Sequence, residues 1–340
     1  MLVRVPDYYN AFHCLAGSCP RSCCIGWEVE IDDDTAAAYA AIPGELGCEL
    51  RRQLQTDEYG ARCFPLSGAR CPFLDKDDLC RIHRELGQEY TSITCREHPR
   101  FTEEFGPLRE ISLSASCPEA ARLLCGGDKP LTFPESVLPE DDEPGDDWLE
   151  PLLAFRDAAF SLLADQAEPI RRRMAQVLML ACAAQSLLDE ELAAELPKLC
   201  REPVSFPSLP EELPPLFPAA PDALAELEIL EDDWLPLLTA GRESGGRLPD
   251  ILLERLTEYF LFRWCLKAVN DGDLLGRVQL AILSTLTVER LSAHTASPEE
   301  ALYRFCREIE HCDENIDALL ETFRWDEAFS PEVFLRELLP

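Results

Sequence analysis

Four cysteines fall within eleven residues in the stretch Cys14-Leu-Ala-Gly-Ser-Cys19-Pro-Arg-Ser-Cys23-Cys24-Ile-Gly-Trp27. Core packing does not explain such a cluster, because neighbouring side chains point in different directions. Thiolates are soft ligands, and groups of them bind zinc or iron–sulfur centres. The stretch therefore predicts a metal-binding unit. Its spacing matches neither the Cys-x3-Cys-x2-Cys pattern of radical enzymes nor a pair of Cys-x2-Cys zinc knuckles.

Four more cysteines extend this set downstream. Two of them flank a polar turn at 71–80, and the other two lie in the short segments 94–100 and 116–119. The predicted metal ligands are Cys14, Cys19, Cys23, Cys24, Cys71, Cys80, Cys95 and Cys117. Eight thiolates would make one four-ligand cluster with four accessory thiols, or two four-ligand sites. A vicinal pair rarely places both sulfurs on one metal, so we expect Cys23 and Cys24 to take different roles.

The evidence that other residues bind metal is weaker. His83 follows Cys80 by three residues and is a further candidate ligand, although such a histidine is more often a surface or supporting group. The remaining cysteines, such as Cys182 and Cys265, lie in helical patterns and are interpreted as small buried hydrophobic residues.

Composition limits the class of protein. The 340 residues are 46% hydrophobic and carry 16 cysteines, of which eleven lie between positions 14 and 125. The first residues contain no apolar run of signal-peptide length, so we expect reduced thiols and a cytoplasmic location. The longest uncharged stretch, Met174 to Leu188, is fifteen residues long, which predicts no membrane span.

The formal net charge of −33 is concentrated in the later part of the chain, where 18 basic residues face 44 acidic ones after position 125. A field of this sign repels phosphates, so nucleic acid is not an expected partner. The acidity maintains solubility or attracts a basic partner such as a lysine-bearing protein surface.

The patterns along the chain predict a mainly α protein with a cysteine-rich, loop-rich metal-binding N-terminal domain containing little β structure, and an α-helical C-terminal domain. The predicted boundaries are 1–125 for the cysteine-rich domain, 126–147 for an acidic proline-containing linker, and 148–340 for the acidic helical domain with a proline-rich loop at 203–221. Alternating apolar and acidic residues predict a strand at Gly26–Ile31, and a second strand is expected at Leu108–Leu113.

Several nucleotide-binding and hydrolytic classes lack support. No Gly-x-Gly-x-x-Gly motif follows a strand, and no phosphate-binding loop is present. His294 and His311 stand alone on helical segments, and the sequence offers no pattern of nucleophile, histidine and acid.

The motifs resemble one known family. They are Tyr8-Tyr9-x2-Phe12-x-Cys14, Cys19-x3-Cys23-Cys24-x-Gly26-Trp27-x-Val29-x-Ile31-Asp32, Cys71-Pro72-Phe73-Leu74, Leu79-Cys80-x-Ile82-His83, Thr94-Cys95-Arg96-x2-Pro99-Arg100 and Ser116-Cys117-Pro118-Glu119. Together they resemble the flagellin lysine-N-methylase (FliB-like) family, which looks related to small bacterial zinc- or iron-chelating proteins with a Cys-Cys core. The similarity continues at Asp271–Leu275 and Phe323–Asp326. One departure is His98, where the family more usually has an aromatic residue.

The resemblance implies transfer of a methyl group from S-adenosylmethionine to lysine side chains of flagellin, with a [4Fe–4S] cluster in the enzyme. Carried over, the eight motif thiols are the candidate cluster ligands. An aromatic and acidic lining suits a lysine side chain, and the candidates beside the first cysteine group are Tyr8, Tyr9, Trp27 and Asp32, although packing and turn formation are the more usual roles of such residues. The competing interpretation is a non-enzymatic protein with a structural zinc or iron site, whose acidic helical half binds a partner. A disulfide scaffold is a third and weaker interpretation.

Overall fold

The computed structural model describes residues 1–57, 60–139 and 145–339. Helices provide most of the regular structure, which confirms the predicted mainly α class. The α-helices are α1 (Asp33–Ala41), α2 (Gly44–Gln53), α3 (Arg81–Leu86), α4 (Ile93–Glu97), α5 (Pro118–Cys125), α6 (Leu149–Leu163), α7 (Ile170–Asp189), α8 (Leu196–Leu199), α9 (Leu216–Ala225), α10 (Trp234–Glu243), α11 (Asp250–Trp264), α12 (Ala268–Asp271), α13 (Leu274–Leu291), α14 (Pro298–Ile309), α15 (Asp313–Trp325) and α16 (Pro331–Leu338). The strands are β1 (Leu2–Arg4), β2 (Gln55–Thr56), β3 (Arg62–Cys63), β4 (Arg100–Phe105), β5 (Leu108–Leu113) and β6 (Glu135–Val137).

A four-stranded sheet joins distant parts of the chain in the order β4-β5-β1-β6. β1 runs parallel to β5, with Leu2 opposite Leu108, and antiparallel to β6. The strand predicted at Leu108–Leu113 is confirmed as β5, and it forms a hairpin with β4. β6 falls inside the predicted linker 126–147, of which residues 140–144 lie outside the described residues.

The apolar side chains form two cores. The larger core contains most of the buried residues of the helices α6–α16, together with Tyr8, Phe12 and residues of β5 and α5. Helices α11 and α13 are buried almost all round and pack against each other at its centre. The smaller core, beneath the cysteine-rich loops, is built around Tyr39, Phe64 and Phe73. The boundaries at 125 and 147 stay predictions.

Helix starts follow the sequence signals. Asp32 caps α1 by accepting a hydrogen bond from the Thr35 amide at 2.9 Å. Ser297 caps α14 in the same way, with Pro298 at the first helical position. These residues satisfy backbone N–H groups that have no partner inside the helix.

The strand predicted at Gly26–Ile31 is wrong. Only isolated bridges form there, at Ile25 opposite Arg70 and at Glu30 opposite Cys63. Gly26 has a φ of 99°, which breaks an extended strand and which glycine adopts at little cost. A side chain at this position would collide with the Arg307 guanidinium.

The proline-rich loop predicted at 203–221 is also partly wrong, because α9 begins at Leu216. Phe217, which precedes Pro218, has an extended φ/ψ, so continuous helical backbone starts only at the proline. Pro218 then opens the helix, where its missing N–H group would have no helical partner, whereas Pro221 lies inside the helix.

Buried ion pairs tie the sheet to the helices. Glu110 of β5 accepts two hydrogen bonds from Arg156 of α6, at 2.7 and 2.5 Å. Arg173 of α7 pairs with Glu254 of α11 at 2.7 Å.

None of the helices in the described part of the chain has both the length and the apolar character needed to cross a bilayer.

Candidate metal centre and adjoining cleft

Four of the eight predicted ligands line one small cavity of about 40 Å³, called here the thiol cavity. The four are Cys24, Cys71, Cys80 and Cys95. The rest of its lining is apolar or hydroxyl-bearing and includes Trp27, Val29, Tyr39 and Phe64. No carboxylate or imidazole belongs to this lining within the described residues. A donor set of thiols alone is typical of zinc and iron–sulfur sites.

Local backbone structure positions these thiols. The Cys71 amide donates to the Cys24 carbonyl at 2.9 Å, which joins the first cysteine stretch to the start of the 71–80 turn. Leu74 and Cys80 form an isolated antiparallel bridge, so the turn closes on itself. Cys95 lies in α4, where Ser92 caps the helix by accepting from the Cys95 amide at 3.2 Å.

The environment of the thiol cavity changes the acidity of its thiols. Burial raises the pKa of Cys71 to about 12, and desolvation by its neighbours raises the pKa of Cys95, which is exposed to solvent. A hydrogen bond from the Cys23 thiol lowers the pKa of Cys24, and the same bond together with burial raises the pKa of Cys23. The two vicinal cysteines therefore differ in chemistry.

The thiols of the cavity are not arranged around a single ion. Across residues 1–57, 60–139 and 145–339, no three His, Cys, Asp or Glu side chains come close enough to one point to hold a metal ion. Ligand sulfurs of a tetrahedral zinc site lie about 4 Å apart. The cavity therefore has the donors of a metal centre without the geometry of a closed zinc site.

The other four predicted ligands lie outside the cavity lining. Cys23 is beside it, and its carbonyl accepts a hydrogen bond from the Trp27 indole at 2.7 Å. Burial raises the pKa of Cys117, and the nearby Cys19 and Cys14 thiols raise it further, so these three share one neighbourhood. His83 is exposed on α3 and does not line the cavity.

A cleft of about 680 Å³ adjoins the thiol cavity and shares Trp27 and Val29 with it. We call it the Trp27 cleft. Its walls come from segments 27–30 and 93–102 on one side and from segments 228–230 and 307–315 on the other. Within the described residues, six carboxylates and the guanidinium groups of Arg100 and Arg307 line it; the carboxylates belong to Glu28, Glu30, Glu97, Glu228, Glu308 and Glu314.

Aromatic and imidazole rings cluster in this cleft. The His311 ring lies 4.8 Å from the Trp27 ring, 5.1 Å from Phe101 and 5.8 Å from His98, measured between centroids. The Arg307 guanidinium sits over Trp27 at 4.7 Å, and the Arg263 guanidinium sits over Phe101 at 3.9 Å. Desolvation lowers the pKa of His98 to about 4, so this imidazole is neutral at pH 7.

Polar groups behind His311 form a hydrogen-bonded chain that leads into the core. Its Nε2 lies 2.7 Å from the Ser116 hydroxyl, which is 2.8 Å from the Ser114 hydroxyl. Ser114 donates to the buried carboxylate of Glu310 at 2.5 Å, and Tyr259 donates to the other oxygen of Glu310 at 2.5 Å. The sequence offered no sign of this chain, because its members are up to 197 residues apart.

Of the four residues considered for a lysine pocket, only Trp27 lines the cleft. Tyr8 is buried, and its hydroxyl has no hydrogen-bond partner among the described residues. Tyr9 accepts a hydrogen bond from Arg100 at 3.0 Å, and Asp32 caps α1.

A second cleft of about 670 Å³ lies elsewhere in the helical part of the chain. The two downstream motifs both contribute to it, with Asp271, Gly272 and Asp273 on one wall and Phe323, Arg324 and Trp325 on the other. Trp325 is 76% exposed there. This cleft contains no cysteine within the described residues.

The fold and the site together define a mainly helical protein with a thiol-lined cavity beside an acidic, aromatic cleft. Curated relatives include proteins named Lysine-N-methylase from Salmonella typhimurium and Salmonella choleraesuis, each 26% identical over 142 residues, or 40% of this chain. A protein named Flagellar biosynthetic protein FliU, from Salmonella muenchen, is 29% identical over 123 residues, which cover 34% of this chain and 73% of that protein.

These similarities confirm the predicted resemblance to the flagellin lysine-N-methylase family. The match spans 35% of the length of the two proteins named Lysine-N-methylase. No protein-family model matches the chain, and no solved structure matches it.

Proposed function

We propose that the protein is a protein-lysine N-methylase that transfers methyl groups from S-adenosylmethionine to lysine side chains of flagellin or of another lysine-bearing protein. Relatives named Lysine-N-methylase support the reaction, and the relative named FliU supports a flagellar substrate. We place this activity in the cytoplasm, where thiols stay reduced.

One observation carries the proposal. The thiol cavity and the Trp27 cleft share a wall formed by Trp27 and Val29, so a site with metal-binding donors lies next to a cleft large enough for a side chain. Methyl transfer needs a donor site and a lysine site in contact, because the reacting atoms must approach within about 3–3.5 Å.

The cofactor we propose is a [4Fe–4S] cluster held by cysteines of the thiol cavity. Soft sulfur donors without carboxylates suit iron–sulfur clusters and zinc. Cys24, Cys71, Cys80 and Cys95 would hold such a cluster, which would supply iron for binding the amino and carboxylate groups of S-adenosylmethionine.

The Trp27 cleft has the chemistry expected of a lysine site. Its six carboxylates attract an ammonium group, and the ring faces of Trp27 and Phe101 suit a cation or a methylated amine. Arg307 and Arg263 already occupy ring faces there, so a lysine would enter along the carboxylate-lined side.

Methyl transfer itself is the test. Protein purified without oxygen is incubated with S-adenosylmethionine carrying a labelled methyl group and with flagellin monomers, and the substrate is then analysed by mass spectrometry. The proposal predicts lysine residues heavier by one methyl group. Trp27→Ala should abolish product, whereas Trp325→Ala, in the other cleft, should leave it unchanged. A protein that methylates neither flagellin nor a mixture of lysine-rich proteins would contradict the proposal and favour a binding role.

A further inference from the structure

The hydrogen-bonded chain behind His311 has a defined direction. Glu310 pairs with the Arg263 guanidinium, with Nε 3.8 Å from Oε1, and as a carboxylate it only accepts hydrogen bonds. Ser114 has one hydroxyl proton, and the 2.5 Å contact commits that proton to Glu310. In the arrangement that gives both serine contacts a proton, the Ser116 hydroxyl donates to Ser114 and the Ser116 oxygen accepts from Nε2–H of His311, which also lies 3.3 Å from the Ser114 hydroxyl.

This direction fixes the tautomer of His311. With the proton on Nε2, Nδ1 carries the unprotonated lone pair of the ring, and His311 lines the Trp27 cleft. An imidazole oriented by an acid through hydroxyl groups is the arrangement that proton-accepting histidines use, since the third group holds the ring in one tautomer. Glu310 and both serines are buried, so water does not compete for the contacts between these three residues, whereas the His311 ring is exposed to solvent.

Two helices and the segment after α4 place charged or titratable side chains around His311. The cations are Arg263 from α11 and Arg307 from α14, and the other imidazole is His98, which follows α4. Although part of the His311 ring is exposed to solvent, desolvation by its neighbours lowers its pKa, and His98 and the two guanidinium groups add to this effect. The same cations disfavour a further positive charge beside the ring, while the six cleft carboxylates attract one to the cleft.

We propose that Nδ1 of His311 accepts a hydrogen bond from the ε-amine of the substrate lysine, which occupies this end of the cleft as the free base. The inference rests on the proposed function, because it assigns the amine-holding residue of that reaction. On entry, one N–H bond of the ammonium group breaks, the electron pair stays on Nζ, and the proton leaves to the solvent. The neutral amine is then a nucleophile for methyl transfer.

Proton release on binding tests this assignment without any methyl transfer. A synthetic peptide with one lysine is titrated calorimetrically into the cluster-containing protein at pH 7, in two buffers of different ionisation enthalpy. Because free lysine has a pKa of about 10.4, binding as the free base should release about one proton per peptide. The same peptide with norleucine in place of lysine should release none.

His311→Gln is the informative variant, since glutamine can keep a polar atom near the position of Nε2 and loses the acceptor at Nδ1. It should lose the proton release and lower the rate of methylation about 10²-fold or more. His294→Asn, in a histidine that lies outside the cleft beside Ser244, should behave as the wild type. Ser116→Ala keeps the His311 ring but removes the hydroxyl that holds it in one tautomer. This variant should therefore lose part of the proton release and part of the methylation rate, with an unchanged thermal unfolding midpoint.

The outcomes separate the inference from the proposed function. Methylated product from His311→Gln at the wild-type rate, or peptide binding without proton release, would overturn the role of His311 and leave the methylase assignment intact. Proton release that depends on His311, without methylated product under any condition, would refute the methylase assignment while retaining the amine site. Failure of the wild-type protein to bind the lysine peptide would overturn the inference.

Discussion

The buried pair of Glu110 and Arg156 gives the sharpest stability prediction. Glu110 is 3% exposed and Arg156 is 1% exposed, and two hydrogen bonds of 2.7 and 2.5 Å join them. Glu110→Gln keeps the shape of the side chain and removes its charge, which leaves a buried guanidinium without a counter-charge. Breaking a buried pair in this way costs about 3–5 kcal/mol. Glutamine can still accept one hydrogen bond, so we expect about 3 kcal/mol.

Urea unfolding followed by far-ultraviolet circular dichroism measures this loss. The matched control is Glu104→Gln, because Glu104 pairs with Arg109 at 2.8 Å while 55% of its side chain is exposed. Glu135, the other exposed partner nearby, is unsuitable because it shares Arg4 with Glu110. An exposed pair contributes about 0–1 kcal/mol, so the control should unfold near the wild-type midpoint.

A double-mutant cycle isolates the pair. Arg156→Met combined with Glu110→Gln removes both charges, so the double variant should be less destabilised than the sum of the single variants, by about 1–3 kcal/mol. A loss below about 1 kcal/mol for Glu110→Gln would refute the argument that this pair holds the sheet against α6.

Four further predictions follow from single residues. Burial raises the pKa of Glu258 to about 8, so the folded state retains a proton that the unfolded chain loses. The free energy of unfolding should therefore fall as the pH rises from about 4.5 to about 8. Glu258→Gln should remove that dependence in thermal unfolding scans between pH 5 and pH 9, and an unchanged pH profile would count against it. Ser297→Ala removes the cap of α14 and should cost about 1 kcal/mol in urea unfolding, and equality with the wild type would contradict the capping role. Gly272 has a φ of 73°, so Gly272→Ala should cost about 1–2 kcal/mol in the same assay, and a stabilised variant would disprove the strain. Trp27→Ala should weaken binding of a lysine peptide about 5-fold or more in calorimetry, since a ring face contributes about 1 kcal/mol or more, whereas unchanged affinity would place the peptide elsewhere.

The sequence predicted the helical part of the fold well because its signals are local. Residue patterns that favour a strand also act over a few residues, and the strand expected at Leu108–Leu113 is found there as β5. The strand expected at Gly26–Ile31 does not form. Alternating polarity is a local pattern, and it contains no information about Arg307, a residue distant in sequence whose guanidinium packs against Gly26. The contact between these two residues exists only in the folded chain.

In the candidate site, too, local sequence signals were informative and contacts between distant residues were not predicted. Spacing identified thiols of metal-binding type, but it could not tell which of them converge, because loops of different length bring Cys24, Cys71, Cys80 and Cys95 to one cavity. The sequence also left His311 as an isolated histidine. Its partner Ser116 is 195 residues away, and only the folded chain brings the two together.

Iron and sulfide analysis of the cysteine variants tests the proposed cluster most directly. Wild-type protein purified without oxygen should be brown and contain about four irons and four sulfides per chain. Cys48→Ser, an exposed cysteine outside the thiol cavity, should match it, whereas Cys80→Ser should lose most of both. Colourless wild-type protein with one zinc per chain, or full iron and sulfide in Cys80→Ser, would contradict a [4Fe–4S] cluster in the thiol cavity.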